Sequence, residues 1–134
     1  MIEQLSVYAE NNKGAMRRIL SLLSRRGINV LGFVNNDSAE FGTMRLIVSD
    51  CALALDQLKQ AGYLCKTDSI IGLELDDRPG ELEQVLTFIE KHNINVNYTY
   101  VGYSRESSKP IILIHCEDMD IVSDGLVKAG YKVY

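Results

Sequence analysis

Apolar positions change their spacing in the same order twice along this chain. Residues 2–9 alternate imperfectly, with Ile2, Leu5, Val7 and Ala9 apolar, which predicts a strand. Asn11-Asn12-Lys13-Gly14 is turn chemistry. From Ala15 the period lengthens, and Met16, Ile19, Leu20, Leu22 and Leu23 form one helical stripe. Arg25-Arg26-Gly27 closes that helix, with basic residues near its carbonyl end and a glycine where a left-handed cap sits. A strand over 29–34, a loop over 35–38 and a strand over 42–49 follow. Asp50 is placed to cap a helix carrying Leu53, Leu55 and Leu58, which Ala61-Gly62-Tyr63 ends. A short strand over 64–66 completes the run.

The order then repeats. Residues 70–75 read as a strand, and 81–92 as a helix burying Leu82, Val85, Leu86, Phe88 and Ile89. Each of these five lies 66 positions after an apolar partner in the first helix. Ile28-Asn29-Val30 maps onto Ile94-Asn95-Val96 at the same offset. Strands over 95–103 and 110–116 flank a loop over 105–109, and Asp118 is placed to cap a last helix. Ala129-Gly130-Tyr131 matches Ala61-Gly62-Tyr63 at an offset of 68, so the second copy holds two extra residues, expected in the loop before Pro110.

Self-similarity on this scale means internal duplication. The expected units are 1–67 and 68–134, each βαββαβ. The fold class is α+β: two tandem ferredoxin-like units, antiparallel sheets with helices on one face. A unit this small buries a thin core, and Thr67-Asp68-Ser69 is too short for a free tether. The units are therefore expected to pack side by side, which also covers strand edges.

Composition narrows the function classes. Of 134 residues, 46% are hydrophobic and 24% charged, a globular balance. No apolar run reaches the roughly 18 residues of a membrane span, and Met1-Ile2-Glu3-Gln4 lacks a signal peptide's basic start; a cytoplasmic location is expected. Cys51, Cys65 and Cys116 are scattered, neither a disulfide framework nor a zinc knuckle. The net charge of −4 argues against a nucleic-acid partner. It is unevenly shared: residues 1–67 hold 8 Lys/Arg against 6 Asp/Glu, and 68–134 hold 6 against 12. That asymmetry reads either as attraction between units or chains, or as drift on solvated faces. Arg17, Arg18, Arg25 and Arg26 read either as a basic stripe, since Arg18 and Arg25 lie two turns apart on one helix face, or, as the acidic whole favours, as a solvated face. Tyr98 and Tyr100 share parity with Val96, which is expected to face the helices, and read as core or interface packing.

No enzyme signature emerges. His115 and Cys116 are adjacent in a strand and point to opposite faces, so they form no dyad by themselves. No phosphate loop, metal-spaced cluster or nucleophile elbow appears, and no cofactor is expected.

The chain's most distinctive stretch is Asp76-Asp77-Arg78-Pro79-Gly80-Glu81-Leu82. Together with the Ile-Asn-Val openings of both second strands and the βαββαβ order, it resembles the ACT domain, in two tandem copies over the whole chain. In the first copy Asn11-Asn12 replace Asp-Arg and Lys13 replaces the proline. The resemblance implies a regulatory module that binds a small ligand, most often an amino acid, between paired domains. It implies a homodimer or a partner enzyme, with no nucleic acid and no membrane.

The residues suit that chemistry. A turn leading into a helix presents unpaired N–H groups and a partial positive charge, which can hold a carboxylate. Gly80 lets the backbone approach, and Pro79 pre-sets the turn. Asp76 or Asp77 is suited to the ligand's ammonium, Asn95 and Asn97 to donating and accepting, and Leu82 to an apolar wall. Arg78 and Glu81 complete the candidate site, with Asn11, Asn12, Gly14, Ala15 and Asn29 as its first-copy counterpart. The plainer alternative stays open: Asp-Arg-Pro-Gly starts a helix on any fold, Asn95 caps a turn and Asp76 pairs with Arg78. A ligand-free scaffold that pairs with itself or with an enzyme is the alternative function.

Overall fold

The computed structural model describes residues 1–36 and 41–134. Its elements run β1 (Ile2–Glu10), α1 (Ala15–Arg25), β2 (Val30–Asn36), β3 (Phe41–Val48), α2 (Cys51–Gln60), β4 (Leu64–Glu74), α3 (Glu81–Lys91), β5 (Val96–Ser104), β6 (Lys109–Cys116), α4 (Met119–Lys128) and β7 (Lys132–Val133). The chain divides into two compact units, one of Glu3–Ser69 and one of Ile70–Tyr134 with Met1 and Ile2. Among the described residues no helix is long and apolar enough to cross a membrane. Part of the loop expected over 35–38 lies outside the described residues; Asn35 and Asn36 belong to β2.

In the first unit β3 lies between β1 and β2 and is antiparallel to both. Alternate residues Leu5, Val7, Met44 and Leu46 face Ile19 and Leu23 of α1 and Ala54 and Leu58 of α2 in one core. The second unit repeats the scheme with strand order β7-β4-β6-β5, all antiparallel. There Ile71, Leu73, Ile114 and Cys116 meet Val85, Ile89, Val122 and Leu126. The duplication extends to detail. The β2–β3 register slips between Val30 and Gly32, and the β5–β6 register between Val96 and Tyr98, 66 positions on.

Helix ends follow local chemistry. Asp50 caps α2, its Oδ1 accepting the Leu53 N–H at 2.9 Å. Each of the four described helices closes on a left-handed residue, Gly27, Gly62, Asn93 or Gly130. The next N–H then reaches back five residues, as Tyr63 does to Leu58 at 3.0 Å and Tyr131 to Leu126 at 3.1 Å.

Four expectations need correction. Thr67-Asp68-Ser69 is not a break: β4 runs through it as one 11-residue strand. A polar run reads as a loop, but a strand needs only paired backbone, and Lys66 bridges Asp68 at 3.2 Å along it. Asp118 stands at the start of α4 yet makes no cap bond, because its own backbone is left-handed at φ 50°. Leu82 and Leu86 are each 37% exposed, Met16 is 42% and Leu53 37%. The buried stripe of each helix is narrow, an i, i+4 pair such as Val85/Ile89, and these side chains lie on its flank. Finally, Tyr98 and Tyr100 do not share a face with Val96. The bulge at Asn97 reverses the parity, so Tyr98 pairs with His115 and stacks on its ring at 4.8 Å.

Candidate functional site

The turn before α3 is built by three backbone bonds. Asp76 O accepts from Arg78 N at 2.9 Å, Arg78 O from Glu81 N at 3.4 Å, and Gly80 O from Gln84 N at 3.0 Å. Gly80 sits at φ 89°, a left-handed conformation that costs most residues with a Cβ about 1–2 kcal/mol. Among the described residues no side chain caps α3, so N–H groups of its first turn beyond Glu81 and the positive end of its dipole are left for other partners. Arg78 Nη2 reaches Asp76 Oδ2 at 3.0 Å and Glu81 Oε1 at 2.7 Å. Such surface pairs contribute about 0–1 kcal/mol, so an incoming carboxylate can displace one cheaply.

Two open grooves flank this turn. One, of about 600 Å³, is lined by Asp76, Arg78, Pro79, Gln84, Tyr131 and Lys132 among others. The other, of about 720 Å³, has a more apolar wall that includes Leu82, Pro110 and Ile112, with Asp77 and Lys109 at its edge. Both volumes suit a small ligand. Glu74 ends β4 beside them. Its Oε1 accepts from Lys109 Nζ at 3.0 Å and its Oε2 from Tyr134 Oη at 2.9 Å. The Ser107 hydroxyl, the Lys109 ammonium and the Tyr134 hydroxyl together hold its carboxyl down to about 2. Ser107 Oγ is buried without a hydrogen bond in good geometry, so it acts as a nearby dipole.

The first copy keeps the same backbone. Asn12 N bonds Glu10 O at 3.0 Å, Ala15 N bonds Asn12 O at 3.2 Å, and Arg18 N bonds Gly14 O at 2.9 Å, with Gly14 at φ 81°. Replacing proline by Lys13 therefore leaves the turn intact. Its surroundings differ. Arg18 folds back from α1, donating to Asn12 Oδ1 at 2.7 Å and to Lys13 O at 3.2 Å. The cavity beside Asn11, Asn12 and Ala15 is only about 40 Å³.

The structure brings Asp76, Asp77, Arg78, Pro79, Gly80, Glu81 and Leu82 together, but it separates Asn95 and Asn97 from them. The cause is topological: β4 and β5 are both antiparallel to β6 and so run the same way, which puts the start of β5 at the far end of α3 from the turn. Asn95 lines a different groove with Leu86, Asn93 and Glu117, and its carbonyl accepts the Glu117 N–H at 3.2 Å. Asn97 Oδ1 lies 3.0 Å from His115 Nδ1. Asn29 likewise ties strand ends, bonding Ser49 Oγ and Ser49 N at 2.9 Å each.

Sequence reasoning missed Gln84, Lys109, Pro110, Tyr131 and Lys132. The signal was available in the sheet order: β6 and β7 flank β4, with Leu73 opposite Ile112 and Glu74 opposite Lys132. The starts of β6 and β7 must then border the turn that follows β4.

Comparison with known proteins supplies the lineage. A protein from Bacteroides thetaiotaomicron, BT0572, is 25% identical, with a TM-score of 0.90 over 99% of this chain and 91% of its own. The ligand-free regulatory subunit of aspartate kinase from Thermus thermophilus is 17% identical, with a TM-score of 0.59 over 84% of this chain and 80% of its own. Aspartate kinase from Clostridium acetobutylicum is 14% identical, with a TM-score of 0.54 over 90% of this chain and 30% of its own. A sequence search of curated proteins finds no match. The profile of the ACT domain pair covers residues 1–128, and the chain belongs to that family.

Proposed function

We propose that the chain is a non-catalytic regulatory module whose second unit binds a free amino acid at the turn before α3. The observation that carries this reading is the contrast between the two copies: one backbone turn, open beside charges of both signs in the second copy and closed over by Arg18 in the first. The ligand's carboxylate lies against the head of α3 and Arg78, its ammonium against Asp76 or Asp77, and its side chain along Leu82 and Ile112. Membership of the ACT family supports the assignment. Binding shifts the population of conformations that a partner reads, the partner being a second copy of the chain or an enzyme. The first copy serves as scaffold for the second.

Amide NMR with pools of free amino acids tests the location. Shifts concentrated on residues 76–84, abolished in Gly80→Val and reduced in Asp77→Ala, support the site. Shifts centred on residues 10–18 or around Asn95 contradict it. A second reading rests on Leu82 and Leu86, one turn apart on α3 and 37% exposed each. They make a small apolar flank suited to a protein partner without any ligand, and Leu86→Ser would then abolish association.

A further inference from the structure

A second groove, in the first unit, is basic. It measures about 360 Å³ and runs along α1 to the turn between α2 and β4, lined by Arg17, Arg18, Ser21, Arg25, Ala61 and Tyr63 among others. Among the described residues no acidic side chain lines it. Arg17 and Arg25 are exposed and carry no ion pair among the described residues. Arg18 is already ordered by Asn12 and the Lys13 carbonyl through single bonds from two of its nitrogens, which leaves guanidinium donors for another partner. Ser21 and Tyr63 add hydroxyls.

The placement runs against local stability. Arg17 and Arg18 stand in the first turns of an 11-residue helix that has no acidic residue in its first turn, where the dipole disfavours cations. The second copy shows that this is no requirement of the fold. Its counterparts, 66 positions on, are Glu83, Gln84 and Lys91, and Glu83 occupies the site of Arg17 with the favourable sign. An acidic protein that lines one groove with Arg17 and Arg18 from the start of α1, at some cost to that helix, and with Arg25 from its last turn has the composition of an oxyanion site.

We infer that the groove of Arg17, Arg18, Arg25 and Tyr63 binds a phosphate-bearing small molecule, so the two duplicated units take ligands of different charge. A guanidinium fork matches phosphate oxygens bidentately, and three forks around one groove suit a group with more than one phosphate.

Calorimetric titration with inorganic pyrophosphate at low ionic strength, where surface charge is least screened, tests this. One site per chain is expected. Arg17→Ala and Arg25→Ala should each weaken it about tenfold or more, the loss of a charge-assisted contact, and Tyr63→Phe more mildly. Arg26→Ala removes the same charge from the adjoining C-cap position, outside the groove, and should leave affinity nearly unchanged. Absence of binding, or equal weakening by Arg26→Ala and Arg25→Ala, overturns the site in favour of diffuse attraction. A lipid headgroup offers the same chemistry, so sedimentation with phosphatidylcholine–phosphatidylserine vesicles forms the second arm. Vesicle binding that pyrophosphate does not displace overturns a small-molecule site.

Discussion

Gly80→Ala isolates the backbone conformation on which the candidate site depends. Gly80 holds φ 89°. A Cβ built there meets nothing closer than Glu83 Oε2 at 3.9 Å, an ordinary contact with a mobile side chain. Sterics with neighbours therefore contribute nothing, and the cost is the left-handed conformation itself, about 1–2 kcal/mol. Alanine also restricts the unfolded chain, which returns about 0.4–1 kcal/mol. The net expectation is a loss of about 1 kcal/mol, or a melting temperature lower by about 3–6 °C for a chain of this size. Gly80→Asn should cost clearly less, because asparagine tolerates this region. Urea unfolding followed by circular dichroism reads the difference directly. A neutral or stabilising Gly80→Ala, with asparagine no better than alanine, would show that the residue is not left-handed and would sink the turn geometry.

Three further expectations separate residues that look alike in sequence. Asp50→Ala should cost about 1 kcal/mol through the lost cap, whereas Asp118→Gly should be neutral or stabilising, since it removes a strained φ and no bond; thermal melts of both check this. Ile89→Ala, at a site 1% exposed, should cost about 2–5 kcal/mol, while Leu86→Ala on the same helix should cost under about 1 kcal/mol in denaturant unfolding. Glu74 has a folded pKa lowered from 4.5 to about 2, so its contribution is complete above 4.5 and is lost as pH falls toward 2. The stability gap between wild type and Glu74→Gln should thus shrink across that window, and a gap independent of pH would contradict the Lys109 and Tyr134 contacts.

Much of this fold was legible because duplication let each copy check the other. Ala15 to Arg25 carries its own period and the flanking Gly14 and Gly27, so its limits appear in the sequence as they do in the structure. The features that escaped depend on three-dimensional context. Nothing in Thr67-Asp68-Ser69 announces a strand, because its pairing partners lie elsewhere in the chain. A one-residue bulge at Asn97 is silent in sequence yet turns Tyr98 and Tyr100 to the other face. Helical periodicity marks Leu82 and Leu86 as apolar but does not reveal how narrow the contact beneath them is. At the candidate site, the local segment 76–82 was legible because its parts are contiguous. Lys109, Tyr131 and Lys132 were not, since only strand order brings them to it. Arg18 over the first turn was equally invisible, being a rotamer rather than a pattern.

The most direct test of the central claim is a thermal-shift screen of the purified chain against the free amino acids. A ligand that binds only the folded state adds about 2.7 kcal/mol at a hundred times its dissociation constant, a readily measured shift. The account predicts a selective rise in melting temperature that disappears in Gly80→Val and persists in Arg25→Ala. A flat response at millimolar concentrations, or a rise that Gly80→Val leaves unchanged, would contradict an amino-acid site at the head of α3.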